Sequence, residues 1–339
     1  MDLTYSRQYI PYENYPNQRM DMTENVSDQF NLGYTGKQGW GTLKARAYYE
    51  HTQHVMDFGD DKRYWYGPGQ PPSGSGGDVA VNGTACSPIS GVRMVNGKMV
   101  GCAAGMPMDT DGKNLGLNVS AEVPLAKGDL LRFGAEYQNY RLDDWWSPSG
   151  AMMWPYTFWN INDGQRDRYA AFGEWEIRKE RWEHILGLRL EAVDMDAGLV
   201  HGYNLDTYPT SGVGGTGNQT RDAALFNAQD RSKTDLNWDL SWLARFTPAA
   251  TQTYEIGLAH KTRSPNLYER YTWSTGGMAM FMINMAGDGN GYVGNLDLEP
   301  EVAHTLSATF DWHDARQQDW GLKVTPYYTY VDDYINARR

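Results

Sequence analysis

The chain has 339 residues and 30 basic against 42 acidic side chains, a net charge of −12. A nucleic-acid phosphate binder usually shows a basic domain or stripe, so that class is argued against. Mean hydropathy is −0.65, and no run of about 18 apolar residues occurs, which excludes a transmembrane helix but not a barrel of alternating strands.

The N-terminal MDLTYSRQYIPY has neither a basic n-region nor an apolar h-region, so it is not a signal peptide, and a fragment lacking its export signal is one expectation. A strand is predicted at Leu3–Ile10. Hairpins follow at 22–57 (turn near Gly36–Gly41), 113–145 (turn Pro124–Gly128), 167–196 (turn near Arg178–Arg181), 234–263 (turn Pro248–Thr251) and 301–334 (turn Asp314–Asp319). The signal is period-two alternation. Leu131, Phe133, Ala135 and Tyr137 stand against Arg132, Gly134, Glu136 and Gln138, and Leu236, Trp238, Leu240 and Trp242 stand against Asn237, Asp239 and Ser241. The runs are about 9–13 residues long, beyond the usual globular strand and suited to a tilted bilayer crossing.

Between the hairpins lie connections at 58–112, 146–166, 197–233 and 264–300. Compact domains disfavour such loops, whereas outer-membrane barrels alternate short periplasmic turns with long extracellular loops. A β-sandwich or propeller would have shorter strands and more even connections. Cys86 and Cys102 share the first long connection; they suit a small disulfide staple outside the cytoplasm, or two free thiols. Charged residues on one face and Trp, Tyr and Leu on the other describe a wet lumen with lipid outside. The 13 Trp and 23 Tyr supply rings suited to such boundaries, and Trp145, Trp146, Trp154, Trp159, Trp273 and Trp312 are expected in the interfacial girdle. The predicted fold is all-β: one domain over 1–339, about eleven strands of an antiparallel transmembrane β-barrel, with both ends missing.

Lys261-Thr-Arg263-Ser-Pro265-Asn266-Leu-Tyr268-Glu269-Arg270, followed by Gly294-Asn295-Leu-Asp-Leu-Glu-Pro300-Glu301, resembles the barrel of TonB-dependent outer-membrane receptors. The resemblance implies a barrel of about 22 strands around a plug domain. It also implies an outer-membrane location, partners in outer-membrane lipid and in the TonB complex (through a plug with no counterpart here), and transport of a metal or metal chelate rather than catalysis. Read for itself, Pro265 stops the preceding ladder, Ser264 is pushed to extended geometry, and Arg263 can pair with Glu269. A strand terminator without a ligand role is the simpler reading of these residues.

The chain carries 15 methionines. Met278, Met280 and Met282 alternate and Met285 follows, while Met106/Met108 and Met20/Met22 form Met-x-Met pairs. Thioethers select soft metals, Cu(I) above all, but they also serve as adaptable packing. On the strand Thr42, Lys44, Arg46, Tyr48, Glu50, Thr52, His54, Met56, the charged members mark the lumen face. His54 and Met56 therefore point inward near the extracellular end, a plausible copper half-site. Receptors of the copper type use such a His-x-Met pair on the barrel, completed by the plug, and this chain is similar at His54 and Met56. The expectation is energised uptake of a scarce metal, copper favoured, with copper as transported ligand and no catalytic cofactor. A ferric siderophore receptor is the alternative, with a passive porin or an outer-membrane enzyme behind it. No Ser/His/Asp set is discernible.

Overall fold

In a computed structural model, the residues described are 1–15, 20–57, 92–95, 98–101, 107–148, 156–203, 205, 216–283 and 291–337. The strands are β1 (Asp2–Ile10), β2 (Asp21–Gln38), β3 (Gly41–Asp57), β4 (Val92–Val95), β5 (Lys98–Gly101), β6 (Met108–Pro124), β7 (Leu130–Trp146), β8 (Phe158–Lys179), β9 (Trp182–Asp196), β10 (Lys233–Ala249), β11 (Gln252–Arg263), β12 (Glu301–His313), β13 (Gly321–Val324) and β14 (Tyr327–Asp332). Among the described residues the connections hold the helices α1 (Thr216–Asn227), α2 (Leu267–Tyr271) and α3 (Gly277–Met282).

Apart from the small β4–β5 hairpin, all strands form one sheet in chain order, β1-β2-β3-β6-β7-β8-β9-β10-β11-β12-β13, with β14 also on β12. Every pairing is antiparallel. β13 and β14 share the partner β12, with the break at Thr325-Pro326. Proline has no N–H for the ladder, so the pair is one crossing with an irregularity, and the crossings match the expected number. Among the described residues β1 and the β13/β14 strand each have a single neighbour, so the sheet they form is open at both edges, as expected.

The strands run to 22 residues in β8. One face is apolar and exposed. Leu32, Leu117, Val119, Phe133, Leu186, Leu188, Leu190, Leu240, Leu258 and Leu306 all lie on it. In water this would be a liability, and against lipid it is the favoured surface. At the turn end it is edged by Trp182, stacked on Phe246 at 4.6 Å, and by Trp312, 6.1 Å from Tyr254. The opposite face carries ion pairs along and across the strands: Arg189 with Glu136 two strands away (2.7 Å) and with Glu191 on its own strand (2.9 Å), and, between adjacent strands, Arg168 with Glu191 (2.7 Å) and Arg132 with Glu176 (2.9 Å). No helix among the described residues is long and apolar enough to cross a membrane.

Two expectations need correction. β8 begins at Phe158 rather than near 167, which shortens the connection before it. Asp163 adopts φ 46° and the β7–β8 register shifts between Leu142 and Trp145, so alternation is interrupted there and the strand start is hidden in the sequence. Trp146 and Trp273 are not girdle residues. They are buried with Phe158, Ile161, Tyr203, Phe226, Leu267 and Tyr271 in a core at the loop end, where the connections holding α1, α2 and α3 fold back onto the sheet. Phe158 stacks on Trp146 at 4.3 Å and on Trp273 at 4.8 Å. Trp154 lies outside the described residues.

Candidate metal-binding site

β3 places His54 and Met56 as expected. They share a face with Lys44, Arg46 and Glu50, which is the charged face, and they sit at the loop end of the strand. In register, Asn25, His54, Thr110 and Asp144 form one row across β2, β3, β6 and β7. The next row is Met22, Met56, Met108 and Trp146, continuing to Phe158 on β8. His54 Nδ1 lies 3.3 Å from the Asn25 Oδ1 acceptor. The ring N–H donates there, which leaves Nε2 with its lone pair for a ligand.

The polar row ends on a buried acid. Asp144 is fully buried, and Asn160 donates to its Oδ2 at 2.7 Å. Tyr268 of α2 reaches both Asp144 and Thr110, and burial together with the Asp144 charge holds its hydroxyl well above the ordinary value. His51 falls on the outer face, where its Nε2 meets Asp111 at 2.8 Å. No group of three or more His, Cys, Asp or Glu side chains among the described residues is placed to hold a metal ion.

The remaining methionines are elsewhere. Met278, Met280 and Met282 fall in α3 rather than on a strand, so the alternation does not put all three on one side: positions two apart on a helix face away from each other, and the Met280 position is opposite the other two. Met282 packs against the buried loop-end core, as does Met108. Met285, Cys86 and Cys102 lie outside the described residues.

The two sequence motifs form a clip around the 264–300 connection. Pro265 is buried as the chain leaves β11. Asn266 caps α2: Glu269 N donates to Asn266 Oδ1 at 2.8 Å, and Asn266 N donates back to Glu269 Oε2 at 2.7 Å. This is a capping box on a helix of five residues. Arg263 bridges Glu269 (3.0 Å) and Glu301 (2.6 Å), tying the end of β11 to the cap and to the start of β12 just after Pro300. The Asn295 and Gly294 amides donate to Glu269 O at 3.0 Å and to Thr272 O at 2.8 Å. A Cβ on Gly294 would lie 2.8 Å from Thr272 O and 2.9 Å from Arg270 O, so only glycine fits that approach. Sequence reasoning gave Arg270, the last residue of the first motif, no role. It is buried and donates to Asp235 Oδ1 and to Leu298 O, each at 2.7 Å. Its lone signal was its place directly after Glu269.

A family model described as TonB dependent receptor-like, beta-barrel, matches residues 1–339. The chain belongs to the TonB-dependent receptor family. No curated protein matches it. Among solved structures it resembles the copper transporter OprC, with 17% identity, TM-score 0.62, 98% of this chain and 42% of that one. It also resembles the FrpB iron transporter of Neisseria meningitidis (13%, TM-score 0.56, 98% and 41%). A third is the hemophore receptor HasR of Serratia marcescens (13%, TM-score 0.59, 98% and 43%). The chain spans about two fifths of the length of these receptors. At such identities the likeness is one of fold. In a TonB-dependent receptor barrel the long connections are extracellular and the charged face lines the lumen, so the clip belongs to the barrel's extracellular rim.

Proposed function

We propose that this barrel serves TonB-energised uptake of a scarce metal across the bacterial outer membrane, with copper the favoured cargo and His54 and Met56 its ligands on the barrel wall. The observation that carries the reading is their placement: an imidazole and a thioether two residues apart on the charged face, at the extracellular end, with His54 Nε2 left for a ligand by the Asn25 contact. The fold does not choose the cargo, since the structures it resembles are named for copper, iron and a hemophore. The mechanism is capture rather than catalysis. The rim and lumen hold the metal, and plug rearrangement driven by TonB admits it.

The test is the copper content of the full-length receptor, purified in detergent after copper exposure. The expected result is about one copper per chain, lost on joint His54→Ala and Met56→Ala substitution, because these are the two soft donors the reading invokes. A folded receptor with no copper would turn the assignment toward an organic iron chelate, and copper unchanged in the double variant would remove the His-x-Met site.

A further inference from the structure

The methionine row is wider than the His-x-Met pair. Met22, Met56 and Met108 stand directly opposite one another on three neighbouring strands. With strands about 4.8 Å apart, the outer two backbones are about 10 Å apart, and three-bond thioethers from both sides can converge over the middle one. Met22 is only 4% exposed, and Met56 and Met108 are half-buried.

Met22 reaches this face because of a bulge. Asn25 pairs with His54 and Glu24 with Val55, but the next pairing is Met22 with Met56, so Thr23 is extra. Under strict alternation Met22 would share the outer face with Glu24, which is exposed. The inserted residue turns it to the lumen side, and bulges recur where a strand must re-aim a side chain. Sequence alternation alone puts Met22 on the wrong side, which is why the row is invisible without the register.

We infer that Met22, Met56 and Met108 form a thioether site for a soft monovalent cation, Cu(I) or Ag(I), contained within the barrel wall and completed by the Thr23 bulge. The inference rests on the reading that the lumen takes up a soft metal, and it specifies the oxidation state received. Three neutral thioethers bring no charge to offset a dication, and they favour the soft ions. The flanking row contributes the His54 imidazole on the same side.

The test is Ag(I) binding to the full-length receptor in detergent, by calorimetric titration, with Ag(I) as the probe. Met→Leu conserves volume, so the joint Met22→Leu and Met108→Leu variant keeps its packing. Its affinity for Ag(I) is expected to fall by about tenfold or more, given the loss of two soft donors. Deleting Thr23 removes no methionine and is expected to produce a loss in the same direction, while His54→Ala retains most Ag(I) binding. Unchanged Ag(I) affinity in the Met22→Leu, Met108→Leu receptor overturns the thioether site and leaves the His54–Met56 reading standing. A wild-type receptor that binds neither copper nor silver overturns both.

Discussion

Arg270 and Asp235 form an ion pair with side-chain exposures of 2% and 7%. Breaking such a pair strands a charge, since Asp235 Oδ2 already has no partner. Replacing Arg270 with Met should therefore cost the rim about 3–5 kcal/mol, and Asp235→Leu in addition should recover part of it. The comparison to make is the chemical unfolding midpoint of the full-length receptor in detergent, single variant against double. If the single variant unfolds with the wild type, the pair is not what anchors α2. At this scale the sequence was partly legible. Arg263 with Glu269 and the strand-ending role of Pro265 could be read from residue chemistry and adjacency. Arg270 could not, because its partners Asp235 and Leu298 are far along the chain and adjacency says nothing about them. Met22 could not either, because one unpaired residue inverts its side.

The strands were the most legible elements. β2, β3, β9, β10 and β11 lie within a residue or two of the predicted spans, because lipid on one face and charge on the other enforce period two along their length. β8 departs where Asp163 and Gly164 break that period. The connections were the least legible. Trp146 and Trp273 were assigned to a girdle, yet they join Phe and Tyr residues in a core of their own. Apolar rings suit either place, and only tertiary packing separates them. That core gives an element-scale prediction. Trp273 stacks on Phe158, and its Nε1 donates to Trp159 O at 2.8 Å. Trp273→Ala should lose about 3–5 kcal/mol locally. Amide hydrogen exchange should rise in the 264–300 connection and at the start of β8, while the middle of the sheet stays protected. A uniform rise across all strands would mean that rim and wall unfold together.

For the whole molecule, the two free edges dominate. A lipid-facing strand edge leaves backbone N–H and C=O groups without partners, and the hydrocarbon offers none. Placed alone in detergent, this chain is expected to associate through β1 and β13/β14 rather than migrate as a compact monomer. Size-exclusion chromatography with light scattering reads the difference, and a monodisperse, protease-resistant monomer would contradict it. The length of the strands has a separate consequence. At about 3.3 Å per residue, the 22 residues of β8 extend some 70 Å, whereas a tilted crossing uses only about 9–11 residues. About half of such a strand therefore stands clear of the hydrocarbon as a raised wall, its first residues inside the loop-end core. On the proposed reading, an ion arriving from outside meets the methionine row on this raised wall, above the hydrocarbon. On that reading capture precedes any encounter with the membrane barrier, which enters only at the later, energised step.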